Sequence, residues 1–545
     1  MSATTAQPSS EKVARAAGAM GAATFLSRIL GLVREQVLAY FFGAGMAMDA
    51  FTVAFRIPNL LRDLFAEGAM SSALVPTFVG VREKEGLARA WQVAGRLFRA
   101  LFGVVSLLAI LGIFFAEPLT ALYAGAFRAE PGKFELTVRM VEVLFPFFPL
   151  VALAAAYMAI LNAQGAYFFP AFASAIFNAV SITTGVALSF VVPHFGLHPI
   201  EGIAIGVVIG GASQAFSQLP VLYRRGYVFS NPPHSPSFFN DPALRRILIL
   251  MVPGTLALAA TQINFLVNTI FASQEGTGAV SWLNYAMRLM QFPIGIFGVS
   301  LAAATLPVFS EQWSRSSYTD CAQTLRSSLR QMFAVNFPAS AGLFFLGVPI
   351  VELLFEYGRF TSADTEATAR ALAGYSVGLA AYSTVKILVP ACYAMGVARI
   401  AVASSVLSVV CNYLINRWLL ENTTLGHVAL AYGTSLTVVL NGIFVLIAAN
   451  VALGRKGVRL GLGGVALDAL RIAAPACFMG VCVAKGYQAL AGFFPEDLNG
   501  FSKVLARLIQ VGISLVFSGI LVVLLSKVFR IQEINAVARR IRRRK

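Results

Sequence analysis

Apolar runs of close to 20 residues recur from one end of this 545-residue chain to the other. That is the length a helix needs to cross about 30 Å of hydrocarbon. Inside a bilayer a helix can satisfy all of its own backbone hydrogen bonds, which an open strand cannot. We place the runs at residues 16–42, 50–80, 91–115, 138–163, 166–192, 201–224, 244–271, 280–308, 328–356, 368–396, 398–420, 427–453, 462–491 and 504–528. Composition excludes the alternative. Only 12% of residues are charged, against about a quarter in an average soluble chain, too few to cover a water-facing surface. The expected fold class is an all-α integral membrane protein with about 14 transmembrane helices. Residues 1–10 are polar and lack a basic segment, so no cleaved signal peptide is expected.

The formal net charge of +17 could point to nucleic acid, but its placement argues otherwise. The basic residues collect on alternate loops: Lys12 and Arg15; Arg82, Lys84 and Arg89; Arg224, Arg225, Arg245 and Arg246; Arg315 and Arg326; Arg399; Arg455, Lys456 and Arg459; and the tail Arg539 to Lys545. The intervening loops are short or mixed in charge. By the positive-inside rule the basic set faces the cytoplasm, and an even number of spans places both termini there. The basic tail suits a surface of anionic lipid, or a solvated anchor that fixes topology.

An internal repeat is visible. Ala54-Phe55-Arg56-Ile57 resembles Ala286-Met287-Arg288-Leu289 at an offset of 232, and Val75-Pro76-Thr77-Phe78 resembles Leu306-Pro307-Val308-Phe309 one residue short of it. The spans order as six, six and two. Six is even, so the repeats are parallel, with substrate expected between them. The expected parts are 1–230 (helices 1–6), 231–456 (helices 7–12), 457–530 (helices 13–14) and the basic cytoplasmic tail 531–545. Gly202, Gly206 and Gly210 put three glycines on one face of span 6, a signal for close helix packing.

The informative residues are arginines placed where arginine is costly. Arg28 and Arg34 lie in span 1, Arg62 lies twelve residues into span 2, and Arg288 lies about two turns into span 8. A central arginine costs at least about 2.5–3.5 kcal/mol, so such residues normally face a bundle interior or a water-filled cavity. Snorkelling or pairing with an acid is the plain alternative, and Asp49, Asp63 and Glu67 are near. Four deep arginines against three acids leave a positive lumen, which favours an anionic group such as phosphate. Gly31 and Pro58 could bend the helices so that these side chains share a cavity.

Enzyme signals are poor. His194 and His198 flank Gly196 in a loop, the five cysteines form no CxxC, and no nucleotide-binding or hydrolase motif stands out.

The run Ser27-Arg28-Ile29-Leu30-Gly31-Leu32-Val33-Arg34 continues through Phe42-Gly43-Ala44-Gly45, Asp49-Ala50-Phe51, Pro58-Asn59-Leu60-Leu61-Arg62 and Phe65-Ala66-Glu67-Gly68-Ala69 to Val75-Pro76. With Ser281-Trp282, Tyr285, Arg288-Leu289-Met290, Phe292-Pro293, Tyr357-Gly358-Arg359-Phe360-Thr361 and Tyr375-Ser376-Val377-Gly378-Leu379, it resembles the MurJ/MviN lipid II flippases of the multidrug/oligosaccharidyl-lipid/polysaccharide exporter superfamily. The resemblance spans the chain and is weakest in spans 13–14. It implies two six-helix lobes plus a final pair that forms a groove for a lipid tail. It also implies outward movement of undecaprenyl-pyrophosphate-linked disaccharide-pentapeptide (lipid II) by alternating access in the bacterial cytoplasmic membrane.

The resemblance further implies that Arg28, Arg34, Arg62 and Arg288 bind substrate, and that Asp49, Asn59, Glu67 and Gln291 line the cavity or gate. Gln291 departs from the glutamate some relatives carry. Relatives proposed to bind sodium use Asn and Asp. Here Asn412 and Asn416 are the counterparts, with no carboxylate, so they are weak sodium candidates. No cofactor is expected; coupling to the membrane potential or to a monovalent ion stays open. Expected partners are lipid II, membrane lipids and the cell-wall synthesis machinery, not nucleic acid. The rival readings are an exporter of another polyprenyl-linked oligosaccharide, an exporter of drugs (which the arginines disfavour), a membrane enzyme of cell-wall synthesis, and a structural scaffold.

Overall fold

One helix shows the logic of the whole. Along residues 398–422, Ser404, Ser408, Asn412 and Asn416 recur every fourth position on one side, and three of the four are buried. Val402, Val406, Val410, Leu414 and Trp418 recur on the other side and are about half exposed or more. A helix that hides polar groups and shows apolar ones is built for hydrocarbon, where small and polar side chains make the helix–helix contacts.

The computed structural model describes residues 10–65, 69–228, 241–494, 501–529, 531 and 533. Among the described residues there are helices and turns but no strand. Nine helices among the described residues are long and apolar enough to cross a membrane, or up to eleven if two bent pairs are each one span. The remaining expected spans, 1, 2 and 7, also fall on helices; span 2 falls on two, Met46–Phe65 and Ala69–Glu85, the first of which carries Asp49, Arg56, Arg62 and Asp63 within 20 residues.

The chain divides into two compact units, residues 1–262 and 263–545. The first contains α1 (Ser10–Phe42), α2 (Met46–Phe65), α3 (Ala69–Glu85), α4 (Leu87–Phe114), the short α5 (Ala116–Ala124), α6 (Lys133–Leu144), α7 (Phe147–Ala163), α8 (Phe168–Val191), α9 (Pro199–Phe216) and α10 (Leu219–Arg224). It also holds the start of α11 (Pro242–Gln274), within which the division falls.

The second continues with α12 (Ala279–Pro293), a π-helical turn (Ile294–Gly298), α13 (Val299–Ser314), α14 (Tyr318–Phe345), the short α15 (Gly347–Phe355), α16 (Ser362–Val377), α17 (Leu379–Ala394), α18 (Ala398–Asn422) and α19 (His427–Gly454). It ends in α20 (Leu462–Ala491) and α21 (Phe501–Val528).

The repeat is visible element by element. α4 and α14 have 28 residues each, and each is followed by a nine-residue helix, α5 or α15. The breaking residues, Phe115 and Leu346, share one backbone conformation, with φ of -100° and -104°. Span 9 differs from expectation. The helix covers 318–345, and α15, expected as its end, turns away by 74°. Span 10 bends by 43° between α16 and α17. The span expected at 280–308 carries the π-helical turn directly after Pro293, whose ring removes one backbone donor.

The glycine stripe of α9 packs on α8. A Cβ on Gly202 would meet the Ser189 backbone nitrogen at 2.5 Å, and one on Gly206 the Gly185 Cα at 2.4 Å. At the other end of this unit, buried Asp241 accepts from Arg89 at 3.0 Å and Arg96 at 2.8 Å, and its second oxygen accepts the Ala243 backbone N–H at 3.1 Å at the start of α11. In the second unit α21 is held by Arg507, which pairs with Glu352 and Glu356 of the α15 segment. Asp468 of α20 accepts from Arg326 of α14.

Candidate anion-binding site

α1 docks on α8 through backbone and glycine. Asn178 Nδ2 of α8 donates to the Ser27 carbonyl at 3.2 Å, and Gly31 sits over the same amide. α1 runs unbroken through Gly31, which serves contact with α8 rather than a break. With that face occupied, Arg28 is turned aside and exposed. It makes no hydrogen bond or ion pair among the described residues. Arg34, nearly two turns on, is mostly buried. Its Nη2 donates to Glu35 at 2.9 Å, and its guanidinium carbon lies 5.8 Å from the Phe177 ring centre of α8. Glu35 is itself buried.

α2 continues as helix through Pro58 and presents Asn59, Arg62 and Asp63 together. Arg62 donates to Asp63 Oδ1 from Nε at 3.1 Å and from Nη2 at 2.7 Å. The other carboxylate oxygen accepts from Gln262 of α11 at 3.0 Å and from Asn59 at 3.5 Å. Thr255 Oγ1 of α11 donates to the Leu64 carbonyl at 3.2 Å, so α11 is stitched to the last turn of α2.

Asp49 lies elsewhere. It is fully buried at the first turn of α2 and accepts from Lys133 Nζ at 3.0 Å; Lys133 is buried too and also reaches Glu130 at 2.9 Å. Its charge is neutralised locally. Glu67 lies outside the described residues.

In the second unit, Arg288 and Gln291 are both exposed and lie three residues apart on one face of α12, with half-buried Asn284 one turn before. Leu283, Tyr285, Ala286, Leu289 and Met290 form its buried side. Asn412 and Asn416 are buried in α18. Asn416 donates to Asn268 of α11 at 2.7 Å, and Asn268 to Thr434 of α19 at 3.2 Å. Asn264 donates to Ser408 at 3.1 Å, and Ser404 to Asn441 at 2.7 Å. Among the described residues the side-chain oxygens of Asn264, Asn412 and Asn416 have no hydrogen-bond partner. Among the described residues no three His, Cys, Asp or Glu side chains cluster as for a metal. His198 instead caps α9, its Nδ1 accepting the Ile200 N–H at 3.3 Å.

Sequence reading missed Glu35, Gln262 and the amide–hydroxyl network. Only the network left a signal, the four-residue spacing of Ser404, Ser408, Asn412 and Asn416.

Arginines in spanning helices, polar interiors and a two-fold internal repeat are the marks of a transporter that handles an anion. The comparisons with known proteins bear on which kind. A family model described as lipid II flippase MurJ matches residues 38–495. A curated lipid II flippase MurJ from Burkholderia cenocepacia is 36% identical over 371 residues, covering 68% of this chain and 71% of that one. A solved lipid II flippase MurJ in an inward closed conformation superposes with a TM-score of 0.72 at 25% identity, over 93% of this chain and 98% of that one. An inward-facing multidrug resistance MATE family transporter of the MOP superfamily shares the fold, with a TM-score of 0.65 at 16% identity over 79% of this chain and 95% of that one. With a family model matched over most of its length, this multi-pass membrane protein belongs to the lipid II flippase MurJ family.

Proposed function

We propose that this protein carries lipid II, the undecaprenyl-pyrophosphate-linked peptidoglycan precursor, from the inner to the outer leaflet of the bacterial cytoplasmic membrane by alternating access. It acts as a transporter rather than an enzyme, with both termini in the cytoplasm. Arg28, Arg34, Arg62 and Arg288 hold the pyrophosphate, Asn59 and Gln291 line the path, and the prenyl chain stays in lipid or beside α20 and α21. The family match supports the substrate.

The observation that carries the site is Arg28: a guanidinium in a spanning helix, exposed, with no acid partner among the described residues. A cation left that way in hydrocarbon is costly, and an anionic substrate removes the cost while it is bound. Arg34 and Arg62, each beside its own carboxylate, add fork-shaped donors that suit phosphate oxygens. The membrane potential assists export, since moving an anion outward across an inside-negative membrane gains about 2.3 kcal/mol per charge per 100 mV.

Any coupling to a monovalent cation falls to Asn264, Asn268, Asn412 and Asn416. The side-chain oxygens of Asn264, Asn412 and Asn416, without a hydrogen-bond partner among the described residues, suit a hard cation in kind. The lack of a carboxylate among them makes the cluster a weak holder of charge, and its hydrogen bonds already serve to pack α11, α18 and α19.

The test is rescue. In cells depleted of their resident flippase, this chain is expected to restore lipid II in the outer leaflet. Failure of a well-expressed chain would contradict the substrate. Loss of export when the potential alone is collapsed would support the electrical contribution, and indifference would refute it.

A further inference from the structure

Arg62 and Asp63 are neighbours in sequence, and neighbours on a helix point about 100° apart. For them to bond, both side chains must turn toward one another. They do so with the arginine's fork: Nε and Nη2 converge on the single oxygen Oδ1, at 3.1 and 2.7 Å. The Nε and Nη2 edge is the one a guanidinium offers a phosphate or carboxylate, where its two parallel bonds ordinarily go to two oxygens; here both go to one. The other oxygen, Oδ2, has different partners, Gln262 of α11 at 3.0 Å and Asn59 one turn back at 3.5 Å.

We propose that Asp63 is an exchangeable counter-ion for Arg62, holding the guanidinium until a substrate phosphate takes its place, with Gln262 keeping the displaced carboxylate in position. The proposal rests on the reading of Arg62 as a phosphate-holding residue and adds to it the residues that set when its charge is available. Three features fit an exchangeable pair rather than a permanent lock.

The pair is partly accessible, with the arginine side chain 24% and the aspartate 20% exposed, whereas Asp49 and Lys133 are sealed at 0% and 2%. Its two oxygens are divided, so losing Arg62 leaves Oδ2 still bonded to neutral donors, and the carboxylate is not stranded. The pyrophosphate of lipid II carries two negative charges, one on each phosphorus, against the carboxylate's one, and its oxygens suit the same fork. The carboxylate therefore lowers the cost of the empty cationic path and competes with bound phosphate, speeding its release. Asp63 and Gln262 are positioning residues here; neither needs to touch substrate.

The test uses the full-length protein in detergent, with lipid II binding followed by titration, and export followed in flippase-depleted cells. Replacing Asp63→Asn is expected to tighten lipid II binding a few-fold, by no more than about tenfold given what a partly exposed ion pair is worth, while slowing export. Tighter binding with slower export is a split that a merely structural role would not produce. Gln262→Leu is expected to act in the same direction and more weakly. The effect must pass through Arg62, so Arg62→Ala with Asp63→Asn should bind no better than Arg62→Ala alone. Should the amide variant not fold, Asp63→Ser removes the same charge.

If Arg62→Ala weakens binding while Asp63→Asn weakens it too, or leaves it unchanged, the counter-ion role is overturned and the reading of Arg62 stands. If Arg62→Ala itself leaves binding unchanged, the reading of Arg62 fails, and the proposal with it.

Discussion

At the start of α2 a buried carboxylate meets a buried ammonium, Asp49 and Lys133 at 3.0 Å, joining α2 to α6. At the corresponding place in the second repeat, α12 is joined to α16 by Trp282 Nε1, which donates to Asp364 at 2.8 Å. One connection is a sealed ion pair; the other is a single charge-assisted hydrogen bond. The second half has ion pairs of its own around α15, α20 and α21, at Arg507 and Asp468, but a similar contrast separates the helices that carry the deep arginines from α11, α18 and α19. The first half keeps full charges in its spanning helices and neutralises most of them beside the charge, as Arg34 with Glu35 and Arg62 with Asp63. The buried network of the second half, on α11, α18 and α19, is built from neutral amides and hydroxyls. A repeat conserves where helices run and where they touch; it leaves free what chemistry fills the contact.

The sharpest way to break that contrast is to remove one partner of each connection. Lys133→Met takes from buried Asp49 the ammonium it bonds, an expected loss of about 3–5 kcal/mol, seen as a large fall in thermal stability in detergent or as failure to fold. Trp282→Phe removes one hydrogen bond from a carboxylate that Thr361 also contacts, with an expected loss of about 1–3 kcal/mol. Equal losses would mean that the two connections do the same work.

Glycine contacts give the next largest effect. Gly206→Ala drives a methyl into the α8 backbone at Gly185, where nothing flexible can yield, and is expected to cost about 1–3 kcal/mol. Gly442→Ala on α19 meets only Ala381 and Val385 near 3.8 Å and is expected to stay within about 0.5 kcal/mol. Thermal unfolding of the two variants side by side separates a backbone contact from an open one.

Smaller still is the neutral network. Asn416→Leu removes the bond to Asn268, and polar contacts between membrane helices average about 0.6 kcal/mol. A loss of several kcal/mol in the same assay would show that the second half depends on its polar groups as strongly as the first depends on its charges. Gly31→Ala, whose added carbon would lie 3.9 Å from Asn178 Nδ2, is expected to leave both stability and export within error of the native chain.

The long apolar runs made the fold class legible, because hydrocarbon thickness sets their length and backbone satisfaction sets their helicity. The deep arginines and the glycine stripe of α9 were legible for a related reason: charge and missing side chains are conspicuous in such runs. α5 and α15 were not: α5 follows directly on the end of span 3 and carries Glu117, so it reads as loop, while the apolar α15 merges into the hydropathy of the span before it. That is why α15 was read as the end of span 9. Asp63 was legible as an acid near the deep arginines, whereas Glu35 beside Arg34 was hidden by geometry, because adjacent residues on a helix are not expected to pair. Gln262 had no local signal; it matters through a contact 199 residues distant in sequence.

Arg28 is the residue in which the account is most exposed to test, since it is the arginine for which the described residues offer no counter-charge. The direct measurement is outer-leaflet lipid II in cells depleted of their own flippase and supplied with this chain, its Arg28→Ala form or its Arg28→Lys form, at matched membrane levels. The account predicts export by the native chain, a loss of at least about tenfold with alanine, and partial export with lysine, which keeps the charge but not the fork. Equal export by the native and alanine forms would contradict it and would take Arg28 out of the substrate path.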